Sequence, residues 1–123
     1  MREYIMDKLQ SAIDNLFDAI EEDYYNTSKG SSYISSESDA LQRASDFRKS
    51  LSIDPGRKYM KIVRNDYDQR SVWGFIVKED TSKFKKGDIL KAASWSSPAT
   101  NQARGNILSD HYRVSWTGPN YLL

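Results

Sequence analysis

Cysteine is missing from this 123-residue chain, and histidine occurs once, as His111. Without cysteine there can be no disulfide, no thiolate zinc site and no cysteine nucleophile. The same absence fits a reducing compartment, so a cytoplasmic location is expected. With a single imidazole and no carboxylate cluster at ligand spacing, no metal site or cofactor is expected. No Gly-x-Ser-x-Gly elbow accompanies the many serines, and no Walker-type or Gly-x-Gly-x-x-Gly loop is present. No run of about 18 apolar residues occurs, which leaves nothing to span a membrane. The start, Met1-Arg2-Glu3-Tyr4-Ile5-Met6-Asp7, lacks the apolar segment of a signal peptide, so none is expected. A formal net charge of +1 argues against a duplex-binding protein, although local basic clusters can still meet a small anion.

The length fits a single domain, and 38% hydrophobic residues supply a modest core. A chain of this size gains by burying surface against another copy of itself, so self-association is expected. Ile5, Leu9, Ile13, Leu16, Phe17, Ile20 and Tyr24 recur at helical spacing, opposite Asp7, Lys8, Asp14, Asp18, Glu21 and Glu22. That pattern predicts an amphipathic helix of about six turns over 3–24. Residues 26–36 form a polar connector. Ser36 and Asp39 approximate a capping box that starts a second helix, with Ala40, Leu41, Ala44, Phe47 and Leu51 as its stripe. Asp54-Pro55-Gly56 is expected to end it.

From Arg57 the period changes. Residues 59–64 and 72–78 read as an antiparallel pair separated by a polar turn at 65–71. Lys85-Lys86-Gly87-Asp88 reads as a turn before a third strand at 89–95, and 112–117 reads as a fourth, closed by Gly118-Pro119. The order, helices over 1–54 and strands over 57–123, predicts an α+β fold: a helical hairpin followed by a small antiparallel sheet.

The stretch Ala93–Asn106 is long for a connector and rich in hydroxyl and amide groups suited to a nucleobase or ribose. Trp95 offers a stacking face and Arg104 a guanidinium fork for a phosphate. Gly105 permits close approach of backbone amides, and Pro98 suits the first position of a short helical turn. An ordinary polar loop with Trp95 in the core fits the same residues, and composition leaves the two readings even. Trp73, Phe75 and Trp116 read as core. Phe84, among Lys83, Lys85 and Lys86, has less reason to be buried and suits a base-covering ring. Arg57 and Arg113 are further phosphate candidates.

Phe84-Lys85-Lys86-Gly87-Asp88-Ile89-Leu90-Lys91-Ala92-Ala93-Ser94-Trp95, Pro98-Ala99-Thr100-Asn101, Ala103-Arg104-Gly105-Asn106 and Ser115-Trp116-Thr117-Gly118-Pro119 together resemble a phage protein family, the first-described family of Thoeris anti-defence sponges. The resemblance implies a protein that binds cyclic ADP-ribose isomers, and in some members small cyclic oligonucleotides, without cleaving them. It also implies homodimers or dimer-built hexamers with ligand sites involving more than one protomer. Side-chain chemistry, rather than the resemblance, selects the candidate ligand-binding residues: Arg104, Asn101, Thr100, Ser94, Trp95, Phe84, Ala99, Asn106, Arg57 and Arg113. Two competing readings stand beside the sponge: a nucleotide-processing enzyme using His111 or a loop serine, and an inhibitor that binds a host protein.

Overall fold

The structure is a computed structural model that describes residues 2–109 and 112–120, with residues 2–7 described by backbone alone. Helix α1 spans Arg2–Ser28 and α2 spans Glu37–Lys49. Leu9, Ile13, Leu16, Phe17, Ile20 and Tyr24 of α1 all pack into or against the main core, as their spacing requires. At α2 the cap forms as anticipated, with the Ser36 hydroxyl accepting from the Asp39 N–H at 3.0 Å. Arg48 ties the two helices together through Asp18 and Glu21 of α1.

Two expectations for α2 need correction. Leu41 does not belong to the stripe; it is 52% exposed, while Ala40, Ala44 and Phe47 carry the contact. Nor does Asp54-Pro55-Gly56 end the helix. The helix closes at Ser50, and Leu51–Pro55 is an edge strand, β1, whose alternation was hidden because Leu51 also fits helical spacing. Asp54, Pro55 and Gly56 instead lead into a hairpin turn, where the Gly56 N–H donates to Tyr59 O at 2.8 Å.

Strands β2 (Tyr59–Asp66) and β3 (Gln69–Val77) form the expected pair, reversed at Tyr67 and Asp68. The sheet is an antiparallel meander in the order β1-β2-β3-β4. Opposite Ile62 and Val63 the register slips, leaving Trp73 as an extra residue in β3, a β-bulge. The expected third strand is only Ile89–Leu90, β4. Beyond it Ala92 bridges to Pro98, and the chain leaves the sheet. The expected fourth strand is shorter as well. Val114–Ser115 (β5) pairs with Gly118–Pro119 (β6) in a separate two-stranded ladder, held to the sheet by the Trp73 indole N–H donating to Ser115 O at 3.0 Å.

The sheet is covered on both faces. On one lie the helices, with Leu16 and Ile20 against Met60, Ile62, Trp73, Ile76 and Ile89, so helical and sheet parts share one core. On the other a smaller cluster of Phe75, Val77 and Leu90 is roofed by Phe84, Ala92 and Ala103, all from connecting segments. Phe84 is therefore only 7% exposed, and its ring belongs chiefly to this core, not to an open stacking platform. Its lysine neighbours misled because burial here is decided by what the 79–86 loop lies upon. Trp73 and Phe75 are buried as expected, and Trp116 is half-buried edge-on against Phe47 at 5.6 Å.

Candidate functional site

The long loop after β4 is held by its own polar groups. The Ala99 N–H donates to Lys91 O, and the N–H groups of Ala93 and Ser94 both donate to Ser97 O. Pro98 joins the bridge to Ala92 instead of starting a helical turn. Further along, the Arg104 N–H donates to Ile89 O, and the Ile89 N–H donates to Gly105 O, so the returning chain runs beside β4.

Arg104 is occupied within the chain. Its Nε donates to Gln102 O at 3.1 Å, Nη1 to Asn120 O at 3.0 Å, and Nη2 to the Asn101 side chain at 3.2 Å. Lys91 Nζ donates to the neighbouring Pro119 O at 2.9 Å. Two cations thus cap the carbonyls at the end of β6. Burial depresses the Lys91 pKa, and the positive charge of Arg104 adds to that effect. Asn106 is equally committed: its amide donates to Lys86 O and to Asp88 Oδ1, and its carbonyl accepts from the Leu108 N–H. Gly105, at φ +143°, lies where a Cβ would come within 2.9 Å of Tyr112 Cβ. Its backbone freedom accommodates that ring-bearing residue and the pairing with Ile89. Arg113 is exposed, and its carbonyl accepts from the Asn120 amide at 3.3 Å. His111 and Asp110 lie outside the described residues.

Trp95 is not a core residue. It is 43% exposed, with the Lys61 ammonium 4.1 Å from the ring centroid and the Arg70 guanidinium at 5.4 Å. Arg70 is positioned by Asn65 and by Asp54 at 3.0 Å. Ser94 is exposed beside Trp95.

Unengaged groups converge elsewhere, in a cleft of about 500 Å³ between the β1–β2 turn and the 79–84 loop. Val77, Tyr59 and Phe84 supply its apolar surface, Arg57, Lys58 and Lys83 its positive charge, Glu79 and Asp80 two carboxylates, and Thr100 from the long loop a hydroxyl. Among the described residues the side chains of Arg57, Lys58, Glu79 and Thr100 have no hydrogen-bond or ion-pair partner. The frame around them is ordered: Lys78 Nζ donates to Gly56 O, the Lys78 N–H to Lys58 O, and the Asp80 carboxylate accepts from the Lys86 N–H. The Thr81 hydroxyl accepts from the Phe84 N–H at 2.9 Å. A second cleft of about 310 Å³ shares Arg57, Lys58 and Tyr59 and adds Lys61 and Ser96.

The structure therefore brings together Arg57, Thr100 and the largely buried Phe84 at one cleft, with Trp95 next to the neighbouring cleft through Lys61. Arg104, Asn101 and Asn106 serve instead as internal ties of the loop. Lys58, Tyr59, Glu79 and Lys83 went unselected in the sequence. The one signal for them was a basic pair, Arg57-Lys58, directly after a Pro-Gly turn.

The sequence pattern of a family of unknown function, DUF7717, matches residues 1–122. The chain belongs to the DUF7717 family. The match takes in α1, α2, the sheet and the β5–β6 ladder, so the cleft lies wholly within the family's span. No curated protein and no solved structure matches this DUF7717 chain.

Proposed function

We propose that the chain binds a nucleotide signal of the cyclic ADP-ribose class and sequesters it without cleaving it, so that a Thoeris effector is not activated. The observation that carries this reading is the cleft at the β1–β2 turn, where unpartnered Arg57 and Lys58 stand over an apolar surface that includes Tyr59 and Phe84. A pyrophosphate suits the paired cations, a base suits the apolar lining, and Thr100 supplies a hydroxyl for a ribose. The resemblance of residues 84–95, 98–106 and 115–119 to the anti-Thoeris sponges supports the choice of ligand. The resemblance also implies a homodimer, or a hexamer built of dimers, and a site shared between protomers would exclude water and strengthen charge-assisted hydrogen bonds. We place the protein in the cytoplasm, a reducing compartment that a cysteine-free chain suits. Small cyclic oligonucleotides are a second ligand class to be tried in the same assay.

The test is capture and release. Protein is incubated with cyclic ADP-ribose isomers, separated from free ligand, denatured by heat, and the supernatant is analysed by mass spectrometry. Recovery of intact signal is the expected result. Recovery of a degraded product would identify an enzyme, and no depletion of any isomer would remove the sponge reading altogether. Arg57→Ala should weaken capture by about 1.5–3 kcal/mol, the range for hydrogen bonds to charged groups.

A further inference from the structure

Two carboxylates, Glu79 and Asp80, line the cleft beside its three cations; Asp80 is engaged by the Lys86 N–H, and Glu79 follows directly on Lys78, whose N–H donates to Lys58 O at 3.1 Å. That bond continues the β2–β3 register past Tyr59 and Val77 and brings Glu79 alongside the 57–58 turn. Arg57 and Glu79 line the same cleft, yet they form no ion pair with each other, and neither has another partner among the described residues. The backbone beside Glu79 is fixed on both sides. Lys78 is tied to Gly56 and Lys58, and Asp80 is tied to the Lys86 N–H at 2.8 Å. A carboxylate at this position repels a phosphate and only accepts hydrogen bonds, so the part of a bound ligand that it touches is one that donates them.

We infer that Glu79 is a specificity-determining residue that accepts hydrogen bonds from the vicinal hydroxyls of a ribose while Arg57 holds the adjoining phosphate. This inference rests on the binding reading above and names the sugar contact within the same site. A carboxylate has two acceptor oxygens and matches a cis-diol, whereas a deoxy sugar leaves one or both oxygens without a donor after they have lost water. The adenine amine is the other hydrogen-bond donor such a ligand carries. The sugar is favoured because it is bonded directly to the phosphate, as Glu79 stands directly beside the Arg57 turn.

The experiment is calorimetric titration of the full chain with cyclic ADP-ribose, with its analogues lacking a hydroxyl on either ribose, and with the inosine counterpart lacking the amine. For the wild type, one deoxy analogue should bind about ten-fold more weakly than the parent. In Glu79→Gln that ratio should fall to within about two-fold, while Arg57→Ala should weaken every ligand in equal proportion. Because Glu79 is exposed and unpartnered, its variant should melt with the wild type. A ribo-to-deoxy ratio unchanged in Glu79→Gln would overturn the inference and leave the binding reading intact. So would a loss on the inosine analogue that Glu79→Gln abolishes, because it would assign the carboxylate to the base. Failure of every cyclic ADP-ribose isomer to bind the wild type would overturn both.

Discussion

Arg104 Nη1 donates to the backbone carbonyl of Asn120 at 3.0 Å, joining the middle of the long loop to the end of the β5–β6 ladder across 16 residues of chain. A guanidinium with three acceptors inside its own chain ties the loop together. Arg104→Ala should therefore lower stability by about 1–3 kcal/mol, since it removes charge-assisted bonds that are in part buried. Arg57→Ala, at a side chain with no partner, should change stability by no more than about 0.5 kcal/mol. Urea denaturation of both variants beside the wild type separates the two roles; an unchanged midpoint for Arg104→Ala would return that residue to the ligand.

Gly105 gives a sharper test of the same loop. At φ +143°, with Tyr112 Cβ 2.9 Å from the position of a Cβ, alanine suffers both backbone strain and a clash. Gly105→Ala should cost about 1–3 kcal/mol or more. Gly30, which has nothing within 4 Å, is the control, and Gly30→Ala should leave the thermal midpoint almost where it was.

Ser36 closes the N-terminus of α2 through a single hydroxyl bond. Ser36→Ala should destabilise the protein by about 1 kcal/mol, and Ser36→Asp should restore most of it. Denaturant midpoints for the three proteins provide the comparison.

Asp39, one turn into α2, accepts from the Ser35 N–H and pairs with Arg43. The Ser35 N–H bond holds its pKa below the ordinary carboxylate value; desolvation opposes that, and Arg43 and the Ser35 hydroxyl reinforce it. A folded pKa lower than the unfolded one stabilises the protein above the unfolded value. That stabilisation disappears as pH falls through the folded value. Asp39→Asn should therefore flatten part of the acid limb of the stability-against-pH curve while leaving its slope near neutrality unchanged.

Trp95 stands between two cations at the surface, while Trp73 is buried. Acrylamide should quench the fluorescence of the wild type in two classes, and Trp95→Phe should remove the accessible one. Trp95→Ala should cost only about 0.5–1 kcal/mol, the scale of an exposed cation–π contact. If ligand fills the cleft lined by Ser96 and by Lys61, the β2 residue whose ammonium lies over Trp95, the accessible class should become protected on binding.

Much of the architecture follows from periodicity. The stripe of α1 reads as a helix because Leu9, Ile13, Leu16 and Ile20 return to one side every turn, and the same residues reach the core in the folded chain. Tyr59–Arg64 and Val72–Val77 read as paired strands because β-branched and aromatic residues flank a polar turn. Strand β1 escaped notice, since five residues are too few to separate a period of 2 from the end of a helical stripe, and Leu51 suits both. Strands β4 and β5 lie inside the segments 89–95 and 112–117 that read as strands but keep only two residues each, and β6 carries no signal at all: pairing that short is set by which chain lies alongside, and composition carries no record of it.

For the site, the sequence by itself determined the inventory of chemistry: one histidine, no thiol, near-neutral charge, and basic and aromatic residues interleaved from Arg57 onward. Only the tertiary structure decided which of those groups are engaged. Arg104 and Arg57 are chemically identical, yet one is surrounded by the carbonyls of Gln102 and Asn120 and the side chain of Asn101, and the other stands unpartnered at a turn. The difference is physical. Hydrogen-bond satisfaction depends on neighbours distant in sequence, so the residues open to a ligand are those that folding leaves without partners.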